Sequence, residues 1–141
     1  MHTPIRAIDP YMTLIEAQAR LVNMMMKENE DLVTYLDHFR QSRNIVNGLS
    51  GKEFLDDFVE NEKEYKQLSV DIKYPGDLAL AQDQMQSEAF EKYCAIVFIR
   101  GANKFYQPLL DELRSQYAGG RDHYPKTLQA AFDILKNNKS T

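Results

Sequence analysis

The chain is 141 residues long, 43% hydrophobic, and carries 17 Lys+Arg against 21 Asp+Glu for a net charge of −4. This is one domain or two small helical lobes, with enough apolar material to form a core without staples. No apolar run approaches the roughly 20 residues needed to span a bilayer, and the acidic balance suits a polyanion poorly.

Cys94 is the single cysteine, which excludes an intramolecular disulfide and points to a reducing compartment. The opening MHTPIRAIDP has no apolar segment long enough for a secretory signal. Charge is unevenly spread. Residues 1–94 hold 10 Lys+Arg against 17 Asp+Glu, whereas residues 95–141 hold 7 against 4.

Asp9 and Pro10 predict a helix start, as N-cap and first helical residue. Tyr11, Leu14, Gln18, Leu21, Val22 and Met25 then line one side of it. One or two of Met24, Met25 and Met26 are expected to fill gaps in the core. A second helix is predicted from near Asn29, with Asp31 in its first turn and Asn47-Gly48 at its end. Its buried stripe is Leu32, Tyr35, Leu36, Phe39 and Val46, while Arg40, Gln41, Arg43 and Asn44 face water.

Ser50 and Glu53 read as a capping box opening a third helix, with Leu55, Phe58, Val59, Tyr65 and Leu68 as its apolar positions. Asp56, Asp57, Glu60, Glu62 and Glu64 form an acidic face on it. The stretch SVDIKYPGD at 69–77 breaks the pattern, because Tyr74-Pro75-Gly76 is turn chemistry. A fourth, long helix follows from 78 to about 100, capped by Asp77 and ended by Gly101. The strand-like Ala95-Ile96-Val97-Phe98-Ile99 sits inside its helical period.

Residues 105–135 make a helical hairpin. Apolar residues at 105, 106, 109, 110, 113 and 117 follow helical spacing, and Gly119-Gly120 supplies the left-handed backbone that ends the helix. Pro125 is placed to open the last helix, whose apolar face is Leu128, Ala131, Phe132 and Leu135. The fold class is therefore all-α, with about six helices in two small lobes. Residues 1–70 form the N-terminal lobe, 71–77 the linker, 78–138 the C-terminal lobe and 139–141 a frayed tail.

Catalytic chemistry finds little footing. His2, His38 and His123 have no partners at metal-ligand spacing, and one cysteine cannot make a zinc knuckle. Cys94 lies among Tyr93, Ala95, Ile96 and Val97 and reads as a buried, inert thiol. Gly119-Gly120 lacks phosphate-loop spacing. The carboxylates at 56–64 read as a solvated helix face rather than an acid–base pair. Asp122-His123-Tyr124 reads as a turn with a helix cap. Neither an enzymatic activity nor a metal or cofactor is expected.

Three stretches resemble the Gag protein of copia-type LTR retrotransposons. The first is Glu30 through Gln41, with its acidic residue, Leu/Val, Tyr35, Phe39 and Arg40. The second is the long helix leading into Phe98-Ile99-Arg100-Gly101-Ala102. The third is Tyr106 through Leu135, with Leu109, Leu113, Tyr117, Gly119, Tyr124-Pro125-Lys126-Thr127 and Ala131 at fixed offsets around one hairpin. The resemblance covers about residues 10–138.

It implies a capsid-like, two-lobed helical segment of Gag that self-associates into a virus-like particle shell enclosing element RNA, in the cytoplasm. The Cys/His zinc knuckle that follows in Gag is absent from this sequence. RNA contact is therefore expected to be weak or to come through a missing downstream segment, and the piece reads as a trimmed capsid fragment. Partners are copies of itself, with no membrane and no small-molecule substrate. The alternative is a capsid-derived helical interaction module that binds a host protein or peptide in a groove.

Self-association is placed on two oppositely charged surfaces. The acidic one carries Asp56, Asp57 and Glu60; the basic one carries Arg114, Arg121 and Lys126. Tyr124-Pro125-Lys126-Thr127-Leu128 also superficially resembles the Tyr-Pro-x-Leu class of budding signals, although a Tyr-Pro helix start explains the same letters.

Overall fold

The structure, a computed structural model, describes residues 9–49 and 51–137. Among these lie α1 (Pro10–Val22), α2 (Leu32–Gly48), a 3-10 helix (Gly51–Leu55), α3 (Asp56–Glu60), α4 (Lys63–Asp71), α5 (Pro75–Gly101), α6 (Asn103–Ala118) and α7 (Leu128–Asn137). The described residues contain no strand. The all-α expectation holds, with eight helical pieces in place of about six.

Local chemistry sets most boundaries. The Asp9 carboxylate accepts from the backbone N–H of Tyr11 at 2.9 Å and of Met12 at 3.3 Å, satisfying donors that α1 cannot satisfy itself. Asp31 accepts from Thr34 N–H at 2.7 Å. It is therefore the N-cap of α2 rather than a first-turn residue, and the helix begins at Leu32 instead of near Asn29. The backbone and side-chain hydrogen bonds from Thr34 hold the Asp31 carboxyl below its usual range.

The expected third helix is broken into three. The 3-10 helix and α3 abut at Leu55-Asp56, and α3 stops after Glu60. Asn61 Nδ2 donates to the carbonyl of Asp57 at 3.0 Å, a local bond that competes with helix propagation, and Glu62 is extended at the N-cap of α4. Crowding of like charges at 56, 57, 60, 62 and 64 adds to the break. The Ser50 half of the expected capping box lies outside the described residues.

α5 begins at Pro75, earlier than expected, because Pro occupies the first helical position and Asp77 falls in the first turn. The connection from α4 thus shrinks to residues 72–74. The character of α5 changes along its length. Phe90, Cys94, Ala95, Val97, Phe98, Ile99 and Gly101 are buried, whereas its first turns are exposed. A helix end that is apolar on nearly all sides belongs in the middle of a core. α5 meets α2, α3, α4, α6 and α7.

One buried cluster draws on α1 and α2 as well as α5, α6 and α7, so residues on both sides of the expected 71–77 linker share a core. At its centre Tyr35 stacks on Phe98 with ring centroids 4.5 Å apart, and Phe39 meets Phe98 edge-on at 5.3 Å. Met24 and Met26 pack partly against this cluster.

α6 is kinked. Tyr106 has non-helical φ −133° and ψ 30°, two residues before Pro108. Pro108 lacks an N–H and its ring crowds the preceding turn, so the helical spacing read from 105 onwards is interrupted here. The far end follows the sequence closely. Gly120 has φ 89°, Arg121 N–H donates to Gln116 O at 2.9 Å, and Gly120 N–H donates to Tyr117 O at 2.9 Å. These are the two bonds of a Schellman ending.

α7 starts at Leu128 rather than Pro125, because Thr127 Oγ1 accepts from Ala130 N–H at 3.1 Å and takes the capping role. Pro125 is buried in the approach to the helix. The tail read as frayed, 139–141, lies outside the described residues.

Expectations for four side chains change. Tyr11 and Met25, expected on the inner side, are 79% and 57% exposed, and Ala17 joins Leu21 inside instead. Arg40 and Arg43, expected in water, reach other helices. Arg40 donates to Gln129 of α7 at 3.1 Å and Arg43 to Glu91 of α5 at 2.9 Å.

Candidate self-association surface

The acidic set sits on α3. Asp56 and Asp57 occupy its first turn, where carboxylates suit the positive end of the helix dipole, and Glu60 is its last residue. Asp57 and Glu60 are exposed and Asp56 is half-buried. Burial first, then the charges of Glu60 and Asp56, push the Tyr65 hydroxyl above its usual range, so these carboxylates lie close to α4.

The basic set lies on α6 and on the connection from it to α7; the two helices pack on α5 rather than closely on each other, so the expected hairpin between them is not formed. Arg114 is exposed on α6, and Arg121 and Lys126 are exposed on the connection that follows. None of the three ion pairs among the described residues involves any of these six side chains. Asp56, Asp57 and Glu60 share one short helix, the basic residues are spread over α6 and the connection after it, and no ion pair among the described residues joins the two sets.

Lys126 is nonetheless not electrically isolated. Burial raises the Asp122 carboxyl, but hydrogen bonds from the Lys92 ammonium and the Tyr124 N–H, with the charges of Lys92 and Lys126, outweigh it and hold Asp122 below its usual range. Lys92 of α5 pairs directly with Asp122 and so ties the connection to the core helix. Asp122 also accepts from Tyr124 N–H at 3.1 Å, while the His123 ring meets Gln116 Oε1 at 2.8 Å. Asp122 and His123 therefore face different partners, as expected for a turn.

Cys94 is fully buried, and burial followed by the nearby Glu91 pushes its thiol up to about 12. His38 meets Glu30 at 2.7 Å; His2 lies outside the described residues. Among the described residues no group of three His, Cys, Asp or Glu is arranged to hold a metal ion. No described helix is long and apolar enough to cross a membrane.

Two surface features escaped sequence reasoning. The first is apolar exposure on several separate elements: Tyr11, Met12 and Ile15 on α1, Phe58 on α3, Val70 on α4, and Leu80 on α5 are all roughly half exposed or more. The signal for α1 was present, since Tyr11, Ile15 and Ala19 recur four residues apart beside the inward stripe. The second is a pair of clefts. An apolar one of about 240 Å³ is lined by Gln18, Leu21, Val22, Val46, Phe54 and Tyr93. A more polar one of about 270 Å³ lies between α2 and α5, and there Arg43 is already paired with Glu91. Side chains from distant helices line both, so no single stretch of sequence announces them.

No family model, curated protein or solved structure matches the chain.

Proposed function

We propose that this chain is a structural, self-associating capsid domain of the Gag type, building a particle shell through repeated weak contacts between copies. The observation that carries the proposal is where the resembling residues fall. Tyr35, Phe39, Phe98, Tyr106, Leu109, Leu113 and Ala131 come from three stretches far apart in sequence and enter one buried cluster. Gly101 accompanies them at a position with no room for a side chain. Agreement at these positions supports the reading more than agreement of surface composition would, because core residues set how the helices pack.

The exposed apolar side chains on α1, α3, α4 and α5 support the self-associating role. A shell subunit needs more than one contact patch, each too weak to close the assembly alone. Exposed charge of opposite sign on α3 and on α6 with the connection after it suits a head-to-tail contact, which propagates rather than closes. Asp56, Asp57 and Glu60 would meet Arg114, Arg121 and Lys126 of the next copy, in cytoplasmic particles that enclose element RNA.

The apolar cleft beside Phe54 and Tyr93 favours a second reading, a helical interaction module that seats a side chain of another protein. Charge reversal at Arg121 and Lys126 separates the two. The shell reading requires assembly to weaken and lose its salt sensitivity. Assembly that keeps both properties refutes the proposed contact.

A further inference from the structure

α1 is apolar over more of its circumference than α2 covers. At about 100° per residue, Leu14, Ala17, Gln18 and Leu21 share the inward side, and Ala17 and Leu21 are buried. Tyr11, Met12, Ile15 and Ala19 fall within a neighbouring arc of about 100°. Tyr11 is 79% exposed, Met12 48% and Ile15 53%, and Ala19 is exposed as well. α1 packs chiefly against α2, so this second stripe faces away from the core.

The charges bordering the stripe identify its occupant. Glu16 and Arg20 are exposed along one flank. When two identical helices pair antiparallel, like flanks face each other with their order reversed. Glu16 of each copy then faces Arg20 of the other, twice per pair. A parallel pair would instead set this charged flank against the Leu14–Gln18 side. Ala19 adds a small position at which two helix axes can approach to about 8 Å.

The geometry points to a twofold contact in which α1 pairs antiparallel with α1 of a second copy, Ile15 of each packing over Ala19 of the other. Tyr11 then reaches the last turn of the opposite helix. A 13-residue helix is about 20 Å long. Its stripe buries less than the roughly 800 Å² per partner of a standard stable interface. The pair therefore dissociates on dilution. The contact stands apart from the charge-mediated one between α3 and the basic residues of α6 and the connection after it. A chain that pairs through α1 but builds nothing larger keeps this inference and loses the shell.

The test uses the full chain carrying Ile15→Cys or Ala19→Cys, with Cys94 buried and unreactive. Mixed in equal amounts and oxidised, the two variants should give the 15-to-19 disulfide at least about fivefold over either symmetric product, since antiparallel helices oppose unlike positions. Dominant 15-to-15 and 19-to-19 products, or no cross-link at all, overturn the contact. In sedimentation, Ile15→Asp should abolish dimers, and Glu16→Arg should weaken them roughly fivefold to tenfold. The double exchange Glu16→Arg with Arg20→Glu should restore them, which a folding defect would not do. Dimers indifferent to Ile15→Asp, or absence of that rescue, overturn it as well. So does a monomer whose introduced thiol at position 15 resists a maleimide, which would assign the stripe to residues 1–8 of the same chain.

Discussion

The Tyr35 hydroxyl donates to the carbonyl oxygen of Phe98 at 2.7 Å while the two rings stack, locking α2 onto the buried end of α5. One turn on, a Cβ at Gly101 would lie 2.0 Å from the Tyr35 hydroxyl oxygen and 2.3 Å from the carbonyl oxygen of Met24. Met26 N–H donates to Gly101 O at 2.9 Å, so the chain between α1 and α2 is held against the same spot. Gly101→Ala should therefore cost about 3 kcal/mol or more, because a backbone atom must move and not merely a side chain. Tyr35→Phe should cost only about 1 kcal/mol, since Phe98 O still accepts from Ala102 N–H at 3.2 Å. Urea midpoints of the two variants check the order; a milder effect for Gly101→Ala contradicts this packing.

Glu91 joins three helices. It accepts from Arg43 of α2 at 2.9 Å, and its other oxygen accepts from the Leu128 N–H at the start of α7 at 3.4 Å. Glu91→Ala should cost about 1–2 kcal/mol through both contacts. Coupling to Arg43→Met in a double-mutant cycle should be about 0.5–1 kcal/mol, as the pair is half-exposed. Additive effects would mean that the pair contributes nothing to holding α2 against α5.

Cys94 should resist thiol reagents. Its thiol is pushed up to about 12 and the side chain is fully buried, so almost no thiolate exists near neutral pH and reagents have no path to it. Labelling under native conditions should run at the rate of opening or global unfolding and rise steeply with urea. Rapid labelling without denaturant contradicts the burial.

The Lys92–Asp122 tie predicts an acid-side loss of stability. Asp122 is held below its ordinary value of 3.8 in the folded chain, so its contribution is present above that value and is lost as pH falls through the lower folded value. Lys92→Met should flatten the fall in urea midpoint between pH 5 and 2. An unchanged acid limb in that variant removes Asp122 from the account.

Much of the fold was legible because it rests on local chemistry. Asp9-Pro10, Asn47-Gly48 and Gly119-Gly120 all mark helix ends, with the Asp9 carboxylate capping the first and the positive φ of Gly120 closing the last. The periodic stripe from Tyr35 to Val46 also lies where its spacing puts it. Failures came where two local signals competed. Thr127 won the cap from Pro125, Asn61 ended α3 inside an otherwise helical pattern, and Pro108 kinked α6. The candidate surface was less legible. Spacing marks which residues of α1 share a stripe, but which stripe turns inward depends on α2, and the ties from Arg43 to Glu91 and from Lys92 to Asp122 depend on tertiary placement. The Tyr-Pro-x-Leu likeness illustrates the same limit, because Leu128 is only 2% exposed and Pro125 is buried with it.

The most direct test of the central claim is sedimentation velocity of the full chain from micromolar to millimolar concentration at low and high salt, with electron microscopy of any large species. Weak, repeated self-contact predicts a sedimentation coefficient that climbs with concentration, falls back as salt screens the charged contact, and accompanies regular particles or sheets at the upper end. A single monomeric boundary across the whole range, at either salt, contradicts it.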